Sequence, residues 1–410
     1  MPDPNPPRAD PHWPPAVVAG AYQTGVVLMR NLSRRGVAVS CIDCDSRRPA
    51  FKSVYGKAHL CPNPDEDPAA WAEFMRRFGA QFRQRPVLIS SSDRYVSAIA
   101  DHVAALKERF IFTDAASASI QGLLATKRRQ YELAADHNLP VPRTQVLESA
   151  GDLETFAATA RYPCLLKPLH FREWQRFPKG HPLFFEKIAV ASSREELDRI
   201  YKMAAETNPH AVVQEIIEGP DTAKLVYLSC YAQDRRRLGS CVLREIRTDP
   251  IDFGSASVVE PVSDPATDAM CDRFLRSIGY VGLCEIELKR DVRDGSVKMI
   301  EANPRYSVTA DAAPYAGVDL GWLHYLDLIG QPVRPVEPQL RAFRHIVLYR
   351  DVNTFRSYLR AGLLTWKGLF QSYRPPVYFF DLDPRDWRVT AENLFALLKL
   401  LLRPYLRRLL

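Results

Sequence analysis

Three strong polar side chains occupy alternate positions near the end of the stretch VKMIEANPRYS, residues 297–307. The residues before them are strand-like, and side chains alternate between the two faces of a strand, so Glu301 and Asn303 share one face. Arg305 follows just beyond Pro304, where the strand must stop. A carboxylate, an amide and a guanidinium are aimed from one strand end, which predicts that a strongly polar ligand binds there.

A second strand-like run, LCEIELKR, precedes this stretch, and the pair Asp294-Gly295 marks a hairpin turn between the two runs. Glu285 and Glu287 share one face of the second run, and the carboxylates converge if the two faces coincide. Two carboxylates and an amide oxygen are ligands of the kind that Mg²⁺ prefers, with phosphate oxygens and water completing its octahedron. An adjacent arginine could stabilise a transferring phosphoryl group. The alternative is a solvated charged hairpin.

The register of this hairpin decides whether the carboxylates meet. A two-residue loop at Asp294 and Gly295 would place Glu287 opposite Ala302, on the wrong face for Glu301, because a shift of one residue flips every side chain. We therefore predict an odd-length loop with Gly295 in the left-handed region, or a bulge in one strand.

Two lysines and one acidic turn have the residue types that a nucleotide site needs. Lys167 lies inside the apolar run CLLKPL, where a lysine is rarely buried without an anionic partner. Lys127 opens a helix about forty residues earlier, and either lysine could instead be an ordinary surface residue. The strand AVVQEIIEGPD offers backbone groups flanked by apolar side chains, which suits an adenine edge, and Asp221 could accept a ribose hydroxyl.

The elements that position these residues form an amino-terminal region and a middle region, and a third region, 336–410, follows them. Residues 16–115 alternate strands and helices, which predicts a small α/β domain with a parallel sheet. Its first turn, Gly20 to Gly25, lacks the middle glycine of a dinucleotide-binding fingerprint, so NAD binding is disfavoured although Asp43 and Asp45 lie at about the ribose-binding distance. From Lys224 to Asn303 strands dominate, which indicates an α+β region built on antiparallel strands.

The two ends of the chain differ from the middle in composition. Residues 1–15 are rich in proline and lack the continuous apolar segment of a signal peptide, which predicts a disordered leader and not a signal peptide. Residues 336–410 are dense in arginine and aromatic residues and end in a basic amphipathic segment, 394–410, that is interrupted by Pro404. Such a segment could lie on anionic lipid, or its leucines could pack on the body of the protein.

The overall composition is that of a globular protein with more than one domain. The 410 residues are 46% hydrophobic and 25% charged, and the net charge is +7. No long block of Lys and Arg occurs, so the charge favours an anionic small molecule or a membrane surface over nucleic acid. The eight scattered cysteines indicate reduced thiols and a cytoplasmic protein, and we assign no function to the C-x-x-C of Cys41 and Cys44.

At this point the order of features resembles the ATP-grasp superfamily, and within it the carboxylate–amine ligases of the D-aspartate ligase type. The resemblance covers residues 16 to 330 and includes LREIRTDPIDFGSASVVEPV and GYVGLCEIELKRDVRDGSVKMIEANPR. It implies a Rossmann-like pre-ATP-grasp domain at 16–115, an ATP-grasp domain at 116–335 and a carboxyl-terminal extension at 336–410. The expected fold class is thus α/β and α+β.

The resemblance also implies roles for individual residues. Lys127 and Lys167 would hold the phosphates of ATP, and Asp221 would bind the ribose. The adenine would be bordered by Gln214, Glu215 and Ile217. Arg244 and Arg247 are candidates for binding a phosphate or a substrate carboxylate.

For the reacting end of the nucleotide, the resemblance assigns the metal to Glu287, Glu301 and Asn303, with Mg²⁺ as the expected ion and Mn²⁺ as an alternative. Arg305 would stabilise the phosphoryl transfer and the later tetrahedral intermediate. The segment 169–187, which corresponds to the usual glycine-rich lid, departs from the family because it contains one glycine, Gly180, among basic and aromatic residues.

The implied activity is ATP-dependent joining of a carboxylic acid to an amine, with ADP and phosphate as products. A kinase or carboxylase-type member, or a nucleotide-binding scaffold without turnover, are the alternatives. The expected partners are the small-molecule acid and amine. The expected location is the cytoplasm, with peripheral membrane contact through the carboxyl-terminal helix as an alternative to packing of that helix on the body of the protein. The identity of both substrates and the oligomeric state are left open.

Overall fold

The computed structural model describes residues 9–113, 117–124, 127–168, 171–186, 188–374 and 376–406. Part of the predicted leader, two residues of the predicted lid at 169–170 and a third at 187 lie outside the described residues, as do residues 407–410 of the terminal segment. None of the described helices is both long enough and apolar enough to cross a lipid bilayer.

Fifteen strands are present in the described residues. They are β1 (Ala16–Ala19), β2 (Val39–Asp43), β3 (Lys57–Leu60), β4 (Val87–Ser90), β5 (Thr144–Leu147), β6 (Cys164–Pro168), β7 (Ala189–Ala191), β8 (Ala211–Glu215), β9 (Lys224–Tyr231), β10 (Arg237–Asp249), β11 (Ser255–Pro261), β12 (Gly282–Arg290), β13 (Val297–Asn303), β14 (Arg344–Ile346) and β15 (Val377–Phe379).

Thirteen α-helices accompany them in the described residues. They are α1 (Gln23–Arg34), α2 (Pro68–Gly79), α3 (Asp93–Asp101), α4 (Val103–Lys107), α5 (Ala118–Leu124), α6 (Lys127–Asp136), α7 (Ala150–Ala157), α8 (Arg194–Ala205), α9 (Pro265–Ser277), α10 (Leu320–Leu328), α11 (Leu348–Arg360), α12 (Trp366–Ser372) and α13 (Trp387–Leu406). Short 3₁₀ helices occur at Pro49–Lys52, Phe171–Arg176, Asp221–Ala223 and Thr309–Ala316.

The amino-terminal strands form a four-stranded parallel sheet in the order β3-β2-β1-β4. The central strand β1, AVVA, is completely buried, as expected for a parallel sheet that is covered on both faces. The helix α1 connects β1 to β2 and is buried along residues such as Leu28 and Met29. This sheet confirms the expected amino-terminal α/β architecture.

Two further sheets follow. A seven-stranded sheet has the order β13-β12-β9-β10-β11-β14-β15, and the pairs β9/β10, β10/β11 and β11/β14 are antiparallel. A four-stranded antiparallel sheet has the order β5-β8-β6-β7. The mixture of one parallel and two largely antiparallel sheets is the α/β and α+β combination that the sequence predicts.

The chain divides into two compact units. The first contains residues 1–125, 220–288 and 301–410, and the second contains residues 126–219 and 289–300. The core of the first unit joins residues distant in sequence, such as Val18, Leu228 and Leu320, in one apolar cluster. The core of the second unit includes Phe156, Leu166, Leu197 and Val213.

The carboxyl-terminal region is part of the first unit. His345 and Ile346 of β14 pair with Val259 and Val258 of β11, and β15 pairs with β14 in parallel. Residues 344–346 and 377–379 therefore extend the seven-stranded sheet.

Candidate active site

The turn of the β12–β13 hairpin has a defined geometry. Three residues, 292–294, lie between Asp291 and Gly295. The Gly295 N–H donates to the Asp291 carbonyl at 2.8 Å, and the Asp291 N–H donates to the Ser296 carbonyl at 2.8 Å. Gly295 has φ +73°, so the predicted left-handed glycine is confirmed. Asp291 and Ser296 are therefore the bonded pair that closes the turn, with four residues, 292–295, between them and the left-handed glycine in the position of a bulge.

The Asp291 carboxylate holds this turn together from the inside. It is completely buried and accepts hydrogen bonds from Arg293, at 2.9 Å and 2.7 Å, and from Lys298 Nζ at 2.9 Å. The Arg293 guanidinium lowers the pKa of Asp291 well below its usual range, burial opposes this, and Lys298 adds to the lowering. Sequence reasoning missed this carboxylate, whose function is to anchor the turn.

At the other end of the hairpin, the two polar faces meet. Asn303 Nδ2 donates to Glu285 Oε1 at 3.3 Å, and the Thr309 hydroxyl donates to Glu285 Oε2. Glu285 and Asn303 are buried, whereas Glu287 and Glu301 are half-buried. The contact favours a common face for the four polar side chains, because residues two apart on a strand point to the same side. That Glu287 lies across from Glu301 stays a prediction.

The side chains of this set fit a Mg²⁺ ion that is bound partly by the protein and partly by phosphate oxygens. Among the residues that the structure describes, no three or more His, Cys, Asp or Glu side chains are grouped to hold a metal by themselves. Glu287, Glu301 and Asn303 offer two carboxylates and an amide, which leave coordination positions for phosphate oxygens and water. The set is therefore suited to an ion that arrives with a nucleotide.

Arg305 is held in place by Asp93, the first residue of α3. Its Nε donates to Asp93 Oδ1 at 2.6 Å, and its Nη2 donates to Asp93 Oδ2 at 3.1 Å. Nη2 also donates to Asn303 Oδ1 at 3.2 Å. The side chain of Arg305 is 19% exposed and that of Asp93 is 57% exposed. Asp93 was missed by sequence reasoning, since no motif links it to Arg305.

Asp221 is buried among partners in the first unit. Lys224 Nζ lies 2.8 Å from Asp221 Oδ1, and the Tyr358 hydroxyl and the Asp252 N–H donate to Oδ2, the latter at 3.2 Å. Burial acts to raise the pKa of Asp221, but the bonds from Lys224 and Tyr358 lower it below its ordinary value. A ribose hydroxyl at Asp221 would have to replace one of these partners.

Glu245 lies beside this group and was also missed by sequence reasoning. Its Oε2 is 4.0 Å from Lys224 Nζ. Burial raises the pKa of Glu245 to about 7, Lys224 opposes this, and the neighbouring charges of Asp221 and Glu285 raise it further. A carboxyl group with a raised pKa thus lies on the same sheet as the candidate metal ligands.

The two arginines with predicted anion-binding roles are both paired. Arg247 is 2% exposed, and its Nε and Nη2 donate to the two oxygens of Asp351 at 2.9 Å and 2.8 Å. Arg244 pairs with Glu260 and keeps 44% of its side chain exposed. Arg244 is therefore the more accessible of the two for a ligand.

The residues with predicted nucleotide roles in the second unit lie on two paired strands and a helix. Lys167 of β6 is half-buried and pairs in register with Val212 of β8. In β8, Gln214 Nε2 donates to Thr144 Oγ1 at 2.7 Å, and Glu215 Oε1 accepts from the Arg161 N–H at 2.8 Å.

The remaining two residues of this set flank those strands in the chain. Ile217 is 7% exposed and follows the end of β8. Lys127 is the first residue of α6, and its side chain is outside what the structure describes. Their roles toward a nucleotide stay predictions.

The predicted lid is packed by aromatic residues where the structure describes it. Trp174, Phe177 and Leu183 are buried in the core of the second unit. The His181 ring stacks on Phe177 with ring centroids 4.0 Å apart. Gly180 has φ +99°, and no atom lies within 4 Å of the position that a Cβ would take there, so the one glycine forms an open turn.

Together, the three sheets and the polar end of the β12–β13 hairpin define a multi-domain ATP-grasp fold. Known proteins agree with this class, although no protein-family model matches the chain. The chain is similar to D-aspartate ligase of Enterococcus faecium (strain Aus0004), with 25% identity over 292 residues, 67% of each chain.

Two solved structures have the same fold. N5-carboxyaminoimidazole ribonucleotide synthetase in complex with ADP has a TM-score of 0.61 and 12% identity, covering 85% of this chain and 86% of that one. L-amino acid ligase from Bacillus licheniformis has a TM-score of 0.56 and 15% identity, covering 79% and 78%. These structures confirm the predicted fold, and the similarity to D-aspartate ligase confirms the predicted resemblance to carboxylate–amine ligases.

Proposed function

We propose that the protein is an ATP-dependent, ADP-forming ligase that activates a carboxylate as an acylphosphate and joins it to an amine. The observation that carries the proposal is the connected polar group Glu285–Asn303–Arg305–Asp93 at the strand ends of the first unit. In this group a guanidinium held by hydrogen bonds lies beside an amide and carboxylates, which supports a role in phosphoryl transfer.

In this proposal the nucleotide is ATP. Glu287, Glu301 and Asn303 would hold Mg²⁺, or Mn²⁺ as the alternative, and the ion would neutralise charge on the phosphates when bound. The remaining nucleotide contacts would come from Lys127 and Lys167 at the phosphates, from Asp221 at the ribose, and from Gln214, Glu215 and Ile217 around the adenine.

The reaction has two steps. A substrate carboxylate oxygen attacks the γ-phosphorus of ATP, the bond to the β-phosphate oxygen breaks, and ADP leaves. The nitrogen of a neutral amine then attacks the acyl carbon of the acylphosphate, phosphate leaves with the bonding electrons, and the nitrogen loses a proton. Arg305 stabilises the negative charge that develops in both steps, because Asp93 and Asn303 fix its orientation beforehand. Arg244 is a further candidate for the substrate carboxylate.

Two alternatives lead to different measurements. A kinase or carboxylase-type enzyme would release ADP without an added amine, and a silent scaffold would bind ATP without forming ADP. The test is ADP release from the full chain with Mg²⁺, measured across a panel of acids with and without a panel of amines. ADP release that requires both an acid and an amine supports the ligase, and ADP release that no amine increases overturns it.

We also assign residues 16–115 to the pre-ATP-grasp domain, 116–335 to the ATP-grasp domain and 336–410 to an extension. The protein is proposed to act in the cytoplasm, in peripheral contact with the membrane through α13. Along α13, Trp387, Phe395 and Leu398 are 61%, 57% and 49% exposed. Lys399 Nζ lies 4.4 Å from the Phe395 ring centroid. Exposed aromatic and leucine side chains next to cations suit an anionic lipid surface.

A further inference from the structure

A cavity of about 50 Å³, open to solvent on one side, lies in the first unit and has Arg305 in its wall. By the usual measure this volume holds about three to four water-sized atoms. Most of its lining is apolar and comes from β4, α3 and the start of β12, including Ile89, Val96, Ile99 and Leu283, together with Phe112. These side chains are also largely buried from solvent.

The cavity adjoins the residues to which we assign the chemistry. Arg305, in its wall, donates to Asn303 at 3.2 Å, and Asn303 donates to Glu285 at 3.3 Å. A substrate whose reacting carboxyl group lies against Arg305 would therefore direct its next few atoms into the cavity. This placement of the substrate rests on the proposed ligase function.

Among the described residues that line the cavity, no cation besides Arg305 would face a charged side chain of a substrate. Arg305, which Asp93 holds through two hydrogen bonds, is the group that we place against the reacting carboxyl group. His324 is 4% exposed, and burial lowers its pKa to about 4, so it is neutral near pH 7. Its Nε2 lies 3.2 Å from Thr113 Oγ1, whereas Nδ1 has no hydrogen-bond partner among the described residues.

At one wall of the cavity, the backbone of Gly282 packs against Thr113. Gly282 has φ +91°, and a side chain there would come within 3.0 Å of Thr113 Oγ1. The backbone of Gly282 thus approaches Thr113 closely, and a side chain at this position would crowd the wall of the cavity.

We infer that this cavity binds the side chain of the acid substrate, and that it selects a small uncharged side chain over a carboxylate. An unpaired carboxylate would be costly among these apolar walls, whereas a branched aliphatic group of about three carbon atoms fills the space. The substrate class would then be a small neutral amino acid or a related carboxylic acid, in contrast to the aspartate in the name of the similar Enterococcus faecium enzyme.

The test compares valine with aspartate, which are close in size and differ in charge, in both enantiomers. Binding to the full chain is measured by isothermal titration calorimetry without nucleotide, so that the result does not depend on turnover. We expect valine to bind at least about tenfold more tightly than aspartate. Equal binding, tighter binding of aspartate, or no binding of either amino acid overturns the inference.

A pair of variants locates the binding. Ile99→Ala enlarges the cavity and should shift the binding preference from valine toward leucine by about tenfold. The control Ile346→Ala, at a completely buried strand position outside the cavity, should leave this preference unchanged. Val96→Ala is a milder enlargement if Ile99→Ala does not fold. An unchanged preference in the folded cavity variant overturns the assignment.

The binding experiment, compared with the ADP-release panel described for the proposed function, separates this inference from the ligase proposal. If valine binds as expected but no acid and amine pair releases ADP, the cavity assignment stands and the proposed function fails. If ADP release is amine-dependent but aspartate is preferred, the function stands and the cavity assignment fails.

Discussion

Replacing Asp93 by alanine is expected to slow turnover while leaving the protein folded. Two hydrogen bonds from Arg305, at 2.6 Å and 3.1 Å, would be lost, and only the 3.2 Å bond to Asn303 would orient the guanidinium. A misplacement of about 1 Å at a reacting group can cost on the order of 100-fold in rate. We therefore expect kcat to fall about 10- to 100-fold, which is about 1.4 to 2.7 kcal/mol of transition-state stabilisation.

The cost in stability should be much smaller. Asp93 is 57% exposed, and exposed ion pairs contribute about 0 to 1 kcal/mol. The free energy of unfolding, measured by urea titration, should therefore change by less than about 1 kcal/mol. A large loss of activity with a small loss of stability is the signature of a residue that positions another.

The assay is ADP release at saturating ATP, acid and amine. Asp93→Glu should recover part of the lost kcat, because a longer carboxylate can still bond to Arg305. Asp65→Ala is a matched control, since it removes an exposed carboxylate that pairs with Arg94 at 2.7 Å in the same unit. If Asp93→Ala keeps kcat within about twofold of the original protein, or loses no more than Asp65→Ala, the positioning role is refuted.

Three other outcomes are expected. Glu301→Gln should lower ADP formation at least ~100-fold with an unchanged fold, because a metal ligand is lost. The control Glu73→Gln, which changes an exposed carboxylate, should leave ADP formation unchanged. Near-normal turnover of Glu301→Gln would remove Glu301 from the metal site. Burial acts to raise the pKa of Asp311, but Arg30 and His345 lower it from 3.8 to about 2. Asp311 therefore contributes stability above pH 4 that is lost as the pH falls toward 2. Over this pH range the free energy of unfolding should decline by about 2 kcal/mol more in the original protein than in Asp311→Asn, and parallel declines would contradict this. The full chain should sediment with anionic liposomes at low salt. The double variant Phe395→Ser, Leu398→Ser should sediment less, because it removes exposed apolar side chains. If both proteins remain in the supernatant in equal amounts, α13 is structural.

Much of the architecture could be predicted because it depends on local patterns. The alternation of AVVAG with a helical segment and VAVSCID predicts the parallel pair β1/β2, which is present. The left-handed Gly295 was one of two solutions that register counting in the hairpin allowed, because a plain two-residue loop would put the carboxylates on opposite faces. Both inferences need only neighbours in the sequence.

The pairing of individual charged residues could not be predicted in the same way. Arg305 and Asp93 are 212 positions apart, and Arg247 and Asp351 are 104 apart, so their contacts exist only after the whole first unit is assembled. An arginine in a motif looks the same in sequence whether it is open to a ligand or closed by a carboxylate. The short strands β14 and β15, with three residues each, were likewise too brief to show a period.

The apolar cluster of the first unit has a consequence for biosynthesis. It joins Val18 near the amino terminus with Phe380 and Val389, and β15 can pair only after β14 and β11 are in place. A nascent chain that has not yet reached Val389 thus carries a parallel sheet whose apolar surface is incompletely covered. The second unit, whose core is drawn from residues 147–213 and whose last segment is 289–300, can be completed earlier during translation. Expression of fragments that stop before residue 380 should therefore give aggregation of the first unit rather than a smaller folded protein, and late chaperone engagement would protect it.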